Sequence, residues 1–260
     1  MDPTQRVDVE FLHFRGLFAE LARRLPRSLL QTRIENLFHD LCQRLEPTLA
    51  VEIGAHEASF SRRVKRHSPE VRVLAFEATP YVYDKHAEQA RAAGVEYQHL
   101  AIGPTNGVVE LAIPTSVRHT ERTLTNRMAS LSRHVQADDV HTVEVDCVRL
   151  DDHLDLSPDD RIVAWIDVEG ATEAVLLGSE RVLSQVSAIY IEVEQELRWE
   201  GQWLDVDVAR YLARAGFVPI ARDTQRSHQY NVVFVRPEVI SDPPVARMVA
   251  HRYRPADPTT

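Results

Sequence analysis

The sequence contains very little cysteine and no long apolar run. Cys42 and Cys147 are its two cysteines, and no C-x-x-C pair is present, so neither a disulfide framework nor a zinc–thiolate cluster is expected. No apolar run approaches the roughly 20 residues that span a bilayer. The first residues also lack the charged-then-apolar order of a signal peptide. These absences predict a cytoplasmic protein without a membrane partner.

The sequence is also short of positive charge. Lys and Arg number 30 and Asp and Glu 39, which gives a net charge of −9. Nucleic-acid binding needs a basic face, so we expect no nucleic-acid partner. With 260 residues, of which 44% are apolar, the chain is long enough for one large α/β domain with a helical extension.

Several catalytic motifs are missing. The chain has no G-x-S-x-G elbow, no G-x-x-x-x-G-K-[ST] phosphate loop and no H-E-x-x-H metal motif, which argues against most hydrolase and kinase functions. An NAD-linked oxidoreductase or epimerase would need the fingerprint G-x-G-x-x-G. Only Gly54 fits that frame, because His56 and Ser59 stand at the other two glycine positions.

The most informative stretch is L-A-V-E-I-G-A-H-E-A-S-F-S, residues 49–61. Its apolar run predicts a buried strand that ends at Gly54, and a helical pattern with Phe60 and Val64 starts just after it. Such a corner directs free N–H groups and the positive end of a helix dipole toward a ligand. A second strand ends at Glu77, 23 residues after Gly54, a spacing at which a carboxylate meets a ribose diol.

The residues of this corner favour S-adenosylmethionine over a dinucleotide. A pyrophosphate needs close approach of the backbone, and the imidazole of His56 would crowd it. S-adenosylmethionine has no phosphate and carries a ribose, a carboxylate and a sulfonium cation. We expect Glu52 to attract the amino or sulfonium end of this cofactor, and the loop amides to hold its carboxylate.

Apolar spacing predicts helices over residues 1–47 and alternating strands and helices after them. The helical extension is expected to pack on the core, to cover the cofactor cleft or to form a homodimer contact. From residue 49 onward the alternation predicts a doubly wound, mostly parallel sheet. The expected strands are Leu49–Ile53, Val71–Phe76, Val95–Ile102, Ile162–Asp167, Ala188–Val193, Phe217–Ala221 and Val232–Val235.

Two segments depart from this alternation. Val108–Ile113 and Thr142–Val148 are expected to be extra strands that flank a polar segment, 115–139, which has little periodicity and is either a functional lid or mobile. The tail 237–260 holds five of the 14 prolines and is expected to be extended or disordered. The cofactor-binding domain is thus expected to cover residues 48–236.

A second chemical element is W-I-D-V-E-G-A-T-E-A-V-L-L-G, residues 165–178. A buried strand brings Asp167 to its carboxyl end, where open α/β sheets bind ligands. Glu169 follows it in the same turn, and Glu192 and Glu194 end the next strand. Together with Asp167, Glu192 and Glu194 offer oxygen ligands for a divalent cation. Strand-end carboxylates are common without metals, so we predict no metal site.

The catalytic base is expected to be Asp167 or a histidine. Among the 12 histidines, His56 stands out because it lies in the glycine turn, where it can pack on the cofactor or act as a base near the transferred methyl group. Asn231 is either a donor to a ligand or a turn residue. The histidines that the sequence does not rank are His99, His119, His134, His141 and His228.

The ordered motifs resemble those of the FkbM-type family of S-adenosylmethionine-dependent methyltransferases. The resemblance covers about residues 49–235, and I-D-V-E-G with V-x-L-D-D upstream is its specific combination. The matching segments are V-E-I-G-A-H-E-A-S-F-S (51–61), L-A-F-E-A-T-P (74–80), L-A-I-G (100–103), M-A-S-L (128–131), V-R-L-D-D-H-L (148–154), I-D-V-E-G-A-T-E (166–173) and I-Y-I-E-V (189–193).

The resemblance implies a class I, Rossmann-like methyltransferase sheet that O-methylates a small-molecule hydroxyl acceptor, often a sugar or a secondary metabolite. It places the Gly54 loop on the methionine part of the cofactor, Glu77 on the ribose diol and Asp167 between donor and acceptor. Ala101 and Ile102 would border the adenine, and Ser130 lies in an insertion that closes near the cofactor. Asp167 and His56 are the expected catalytic residues. The expected cofactor-binding residues are Glu52, Gly54, Ala55, His56, Ser59, Glu77, Ala78, Ala101, Ile102, Ser130 and Asp167.

The chain departs from the family pattern at two places. The family's turn is commonly G-A-N-x-G, whereas His56 replaces the asparagine and Ala58 the second glycine. Lysine usually precedes I-D-V-E-G, but Trp165 stands there. These departures keep open the alternative of a non-catalytic member that binds the cofactor and serves as a scaffold.

Overall fold

The fold is known from a computed structural model, which describes residues 3–22, 25–224 and 228–253. The chain forms two compact units. The first unit comprises residues 1–45, 187–196 and 204–260, and the second comprises residues 46–186 and 197–203. In chain order the elements are α1 (Pro3–Ala22), α2 (Arg27–Leu45), β1 (Leu49–Ile53), α3 (Ser59–His67), β2 (Arg72–Glu77), α4 (Pro80–Ala92), β3 (Glu96–His99), β4 (Ala101–Ile102), β5 (Gly107–Val117), β6 (Thr120–Glu121), β7 (Ala137–Val148), α5 (Leu150–His153), β8 (Ile162–Ile166), α6 (Thr172–Leu177), α7 (Glu180–Leu183), β9 (Val186–Glu194), α8 (Asp205–Arg214), β10 (Val218–Arg222), β11 (Gln229–Val235), α9 (Pro237–Ile240) and α10 (Pro243–Arg252).

The second unit contains the parallel sheet that the alternating pattern predicts. Its strand order is β8-β1-β2-β3, and every neighbouring pair is parallel. All five residues of β1 are buried, as expected of a strand that is covered on both faces. β1 is flanked by β2 on one side and by β8 on the other. The order in which later strands are added to the sheet therefore reverses at β1. Ligands of open α/β sheets bind outside the carboxyl ends of the strands at such a switch point.

Strand prediction was least accurate after β2. The run Val95–Ile102 is not one strand, because β3 joins the parallel sheet while β4 pairs with β7 in a second sheet of order β4-β7-β5-β6. The expected strands Val108–Ile113 and Thr142–Val148 are both present and both longer than predicted. Their antiparallel pairing, from Gly107↔Cys147 to Val117↔Ala137, runs into the segment 115–139 that was expected to be irregular.

The first unit combines the predicted N-terminal helices with the end of the chain. Strands β9, β11 and β10 form an antiparallel set, α1 packs against α8 and β10, and α2 packs against α10 and β11. Ion pairs fix α1 to α8, with Arg210–Asp8 at 2.9 Å and Arg15–Asp205 at 2.9 Å. Of the three roles considered for the helical extension, packing on a core is therefore the one seen within this unit.

The proline-rich tail is not extended between residues 237 and 252. It forms α9 and α10, and both helices carry proline in their first turn. Proline suits this position, because its fixed φ is helical and its missing N–H would have no partner inside the helix. Residues 254–260 lie outside the described part of the chain. Among the described residues, no helix has the length and apolar character to span a membrane.

Candidate active site

The carboxyl ends of β1, β2 and β8 meet through backbone hydrogen bonds. The Asp167 amide donates to the carbonyl of Ile53 at 2.9 Å, and the amides of Gly54 and Ala55 donate to the carbonyl of Phe76 at 3.0 and 2.9 Å. These bonds join the turn after β1 to both neighbouring strands. The structure thus brings together the three regions that the sequence assigns to the cofactor, around Gly54, Glu77 and Asp167.

Gly54 is required at this junction for two reasons. Its φ is +77°, a conformation that residues with a Cβ atom rarely adopt. A Cβ atom here would also lie 2.0 Å from the carbonyl oxygen of Asp167. The glycine therefore permits the end of β8 to approach the turn after β1.

The two departures from the family's turn fall at positions with positive φ. His56 has φ +44° and Ala58 has φ +54°, and asparagine and glycine are the residues that occupy this region with least strain. The loop therefore keeps a backbone that suits the family pattern, at a cost of about 1–2 kcal/mol for each of the two substituted residues.

The peptide groups of His56 are held from two sides. Its N–H donates to Glu77 Oε2 at 2.8 Å, and its carbonyl accepts a hydrogen bond from the Tyr97 hydroxyl. Burial, reinforced by the nearby carboxyl groups of Glu77 and Glu52, raises the pKa of Tyr97, so this hydroxyl stays protonated and acts as a donor. No motif indicates Tyr97, since a tyrosine on a strand is usually a packing residue.

Glu77 lies at the end of β2 and is 7% exposed. One carboxylate oxygen accepts the His56 amide, and the other accepts the Thr79 amide at 2.8 Å. Each carboxylate oxygen can accept a second hydrogen bond, so two ribose hydroxyls can be bound without displacing the backbone partners. Glu77 is suited both to shaping the loop and to binding a diol.

Glu52 is buried and bonded to the start of α3. It is 4% exposed on β1, and its carboxyl oxygens accept the amides of Phe60 at 3.4 Å and Ser61 at 2.9 Å, in the first turn of α3. Burial raises the pKa of Glu52 to about 7, with a smaller contribution from the charge of Asp167. The N–H groups of α3 that were expected to face the ligand are thus partly occupied by an internal carboxyl group.

Asp167 follows β8 and is half-buried. The predicted strand is present as β8, and the turn after it leads into α6, which begins at Thr172 and is capped at Gly178. Gly170 in the turn has φ +65°, and a Cβ atom there would lie 2.2 Å from Cγ of Trp199. Trp199 thus covers the turn after Asp167, a contact that the sequence did not reveal because Trp199 comes 29 residues after Gly170.

Trp165, which stands where the family usually has lysine before I-D-V-E-G, has a packing role. The ring of Trp165 stacks on Phe60 of α3, with centroids 5.2 Å apart and planes inclined by 23°. The side chain at this position therefore contributes to the contact between β8 and α3.

The remaining expected cofactor residues differ in burial and in their partners. Ala55 is buried and Ser59 is exposed, with its hydroxyl 3.3 Å from Glu57. Ala78 is half-buried, and its carbonyl contacts His99 at 3.0 Å. Ala101 and Ile102 form the buried strand β4 of the second sheet, which contacts β2.

Ser130 has a structural partner within the insertion. It is 2% exposed and pairs with Ala112 of β5, and its hydroxyl accepts the Ser132 amide at 3.0 Å. Arg127 of the same segment reaches the loop after β1, with its Nη2 atom 2.8 Å from Glu57 Oε2. Arg127 thus links the insertion to the Gly54 loop.

A group of ionisable side chains surrounds His56. Its Nδ1 lies 2.6 Å from Glu57 Oε2, and its ring centroid lies 5.3 Å from that of His86 on α4. Burial and the neighbouring His56 lower the pKa of His86. Burial raises the pKa of Glu57, but hydrogen bonding to His56 and the charge of Arg127 outweigh it and leave the pKa below its usual value. Sequence analysis missed His86 because 30 residues separate it from His56.

The other candidate bases have separate partners. His141 lies 2.9 Å from the Tyr81 hydroxyl, and His119 is exposed beside Asp138. His134 is buried, and this burial lowers its pKa to about 4, helped by the charge of Arg198. Asn231 is in β11 of the first unit, where its side chain donates to Asp223 at 2.8 Å.

The strand-end carboxylates considered as metal ligands belong to different units. Glu192 and Glu194 are buried in β9, largely in the first unit, whereas Asp167 belongs to the second. The expectation that these side chains hold no metal remains a prediction.

One Y-x-x-x-K spacing, a pattern of some NAD-linked enzymes, occurs at Tyr81 and Lys85. Both residues lie on α4, where the Tyr81 hydroxyl pairs with His141 and Lys85 is exposed. The glycine fingerprint is still absent from the turn after β1.

Comparison with known proteins identifies the family. The methyltransferase FkbM domain matches residues 52–219. Methyltransferase 1 of Beauveria bassiana (strain ARSEF 2860) is 26% identical over 194 residues, which cover 68% of this chain and 70% of that protein.

Two solved structures are also similar. The 1,6-didemethyltoxoflavin-N1-methyltransferase of Burkholderia thailandensis, with bound 1,6-didemethyltoxoflavin and S-adenosylhomocysteine, is 12% identical, with a TM-score of 0.44 and coverage of 91% of both chains. A Streptococcus pneumoniae putative tRNA (m1A22) methyltransferase, in complex with S-adenosylmethionine, is 11% identical, with a TM-score of 0.42, 75% of this chain covered and 72% of that one. Because the domain match covers more than half of the chain, this protein belongs to the FkbM family of S-adenosylmethionine-dependent methyltransferases.

Proposed function

We propose that this protein transfers a methyl group from S-adenosylmethionine to a hydroxyl group of a sugar or secondary-metabolite acceptor. The cofactor would lie at the carboxyl ends of β1, β2 and β8. Gly54, Glu77 and Asp167 stand at these ends. Backbone hydrogen bonds join their turns, and the His56 N–H also donates to the Glu77 carboxylate. The choice of a hydroxyl acceptor rests on the family resemblance.

The buried carboxyl group of Glu52 is the main support for this cofactor. A helix N-terminus after a glycine turn ordinarily attracts phosphate. Here Glu52 accepts the amides of Phe60 and Ser61, so an acidic group already occupies the anion-binding end of α3. A pyrophosphate would find these amides already bound to a carboxyl group, whereas S-adenosylmethionine has no phosphate that needs them. The arrangement therefore favours the methyl donor over NAD.

The loop after β1 and the end of β2 form one preorganised unit. Glu77 fixes the His56 amide and retains acceptor capacity for two hydroxyls. The positive-φ residues Gly54, His56 and Ala58 keep the loop tightly folded. Gly54 and Ala55 would border the methionine part of the cofactor and Glu77 its ribose, while Ala101 and Ile102 on β4 would border the adenine.

The chemistry would be displacement at a methyl carbon. The bound cofactor supplies a methyl group on a positively charged sulfur, which is already electrophilic. The protein would hold the acceptor oxygen in line with that carbon, and such positioning provides most of the acceleration. As the oxygen–carbon bond forms, the hydroxyl proton would pass to the Asp167 carboxylate or to His56.

Cofactor binding is the first test. Isothermal titration of the full chain with S-adenosylmethionine, S-adenosylhomocysteine and NAD should give heat with the first two and none with NAD. Glu77→Gln should lose most of the cofactor affinity, because one ribose acceptor becomes an amide donor. Glu110→Gln is the matched control, since Glu110 is exposed on β5. Binding of NAD in preference to the methyl donor, or full affinity in Glu77→Gln, would contradict the proposal.

Methyl transfer is tested separately. The protein is incubated with S-adenosylmethionine and extracts that contain sugars, phenols or macrolides, and mass spectrometry seeks a product one methyl group heavier, together with S-adenosylhomocysteine. A methylated hydroxyl is expected. A product methylated on nitrogen or carbon would overturn the acceptor class but leave the cofactor assignment intact. Binding without any transfer would favour the scaffold alternative.

A further inference from the structure

The side chains of His56, Glu57 and His86 converge on one point. Each offers one ligand atom, and these three atoms lie within 4.8 Å of one another. We propose that these residues bind a divalent transition-metal ion, of which Zn²⁺ is the first to test. The site is distinct from the strand-end carboxylates considered above. It stands on side-chain geometry alone and does not depend on the proposed methyl transfer.

The donor set suits zinc. Two imidazole nitrogens and one carboxylate oxygen are ligands that Zn²⁺ commonly takes, at about 2.0–2.2 Å. Three protein ligands leave a fourth position for water. Ligand atoms that share a tetrahedral ion are about 3.3 Å apart, so His56 Nδ1 and Glu57 Oε2, now 2.6 Å apart, would separate slightly. The wider separations within the group would close by no more than about 1.5 Å.

His86 supplies the second observation that points to a ligand. Its Nε2 atom is buried and has no hydrogen-bond partner within the described part of the chain. Buried side-chain nitrogens are normally hydrogen-bonded, so this one requires an explanation. The ring lies beside that of His56, with the centroids 5.3 Å apart and the planes inclined by 44°. A metal ion between the two rings would give Nε2 a partner.

The backbone prepares His56 for this role. The residue is held at φ +44° by the bond from its N–H to Glu77 and by the Tyr97 hydroxyl on its carbonyl. Its side chain is 20% exposed and that of Glu57 35%, so an ion can enter from solvent. Once bound, the ion would connect the loop after β1 to α4, which carries His86.

Arg127 is the competing cation. Its guanidinium lies 2.8 Å from Glu57 Oε2, the oxygen that also faces His56. A metal ion and Arg127 would therefore compete for this carboxylate. Since the Arg127 side chain is 64% exposed, it can leave at little cost. Metal binding is thus expected to release the link between the insertion and the loop after β1.

Zinc affinity of the untagged full chain tests the site. Chelator-stripped protein is titrated with Zn²⁺ against a fluorescent zinc indicator, and one site per chain is expected. His86→Ala and Glu57→Gln should each weaken it by about tenfold or more, because one of three ligands is lost. His67→Ala, which removes an exposed histidine of α3, is the matched control and should leave the affinity unchanged. Equal affinities in wild type and His86→Ala would overturn the proposal.

Two further measurements separate this site from adventitious binding. Arg127→Ala should tighten zinc binding about two- to fivefold, because an exposed competing ion pair is removed; a site elsewhere would not respond. Co²⁺ should give the visible absorption of a four- or five-coordinate ion, and His86→Ala should abolish it. Titration of the stripped protein with S-adenosylmethionine distinguishes the two hypotheses. Cofactor binding without a zinc site refutes this inference alone, and zinc binding without cofactor binding refutes the proposed function alone.

Discussion

The carbonyl oxygen of Asp167 lies 2.0 Å from the point that a Cβ atom on Gly54 would occupy. The turns after β1 and β8 are therefore in direct backbone contact, and the Asp167 amide is bound to Ile53 in the same region. A side chain between the two turns would separate the strand ends at which the candidate cofactor residues stand. The position of Asp167 relative to the Gly54 loop thus depends on residue 54 having no Cβ atom.

Gly54→Ala is expected to destabilise the protein strongly. The substitution introduces a contact with Asp167 and places a Cβ atom on a residue at φ +77°, which together cost about 2–5 kcal/mol. Chemical denaturation measures the loss. Gly16→Ala is the matched control, because Gly16 lies in α1 with nothing within 4 Å of the added atom, and it should stabilise by about 0.5–1 kcal/mol. Equal effects of the two substitutions would contradict this account.

The parallel strands and their chemical ends could be predicted because the signals are local. The run Leu49–Ile53 is apolar throughout and is followed at once by glycine, and Asp167 directly follows an equally apolar run. Buried parallel strands need such runs, and their carboxyl ends meet at one edge. Residue order alone therefore indicated which side chains would share the site.

The contacts that complete the site could not be predicted, because they join distant parts of the chain. Tyr97 donates a hydrogen bond to His56, and the ring of His86 lies 5.3 Å from the His56 ring, yet neither residue belongs to a recognisable motif. Glu52 was expected to face the cofactor. Its place two residues before Gly54 is equally compatible with a side chain that faces the cofactor and with one that bonds to α3. Only the register between β1 and α3 decides between these partners.

Glu52→Gln is expected to change how stability depends on pH. Burial raises the pKa of Glu52 to about 7 in the folded protein, from an ordinary value of 4.5. Between these values the folded state binds a proton that the unfolded state has lost, so this group lowers stability as pH rises, by roughly 1.4 kcal/mol per pH unit. Below the ordinary pKa its effect vanishes, and above the raised pKa it is constant.

Denaturation of wild type and Glu52→Gln at several pH values measures this effect. Relative to the variant, the wild type should lose roughly 3 kcal/mol between pH about 4.5 and 8. Glu110→Gln, at an exposed position on β5, should show no such trend. A constant difference between wild type and Glu52→Gln across this range would mean that the carboxyl group is not perturbed by burial.

Tyr97→Phe should loosen the candidate cofactor loop without disturbing the core. The substitution keeps the buried ring on β3 but removes the hydroxyl that donates to the His56 carbonyl, at a cost of about 1 kcal/mol. If the loop binds the cofactor, affinity for S-adenosylmethionine in isothermal titration should fall several-fold. Tyr83→Phe is the matched control: its ring stacks on Tyr97 with centroids 5.2 Å apart, but its hydroxyl pairs with Arg91 at the surface. A fall in affinity for Tyr97→Phe alone would assign the effect to the hydrogen bond on the His56 carbonyl, whereas equal effects in both variants would show that this bond is not the cause.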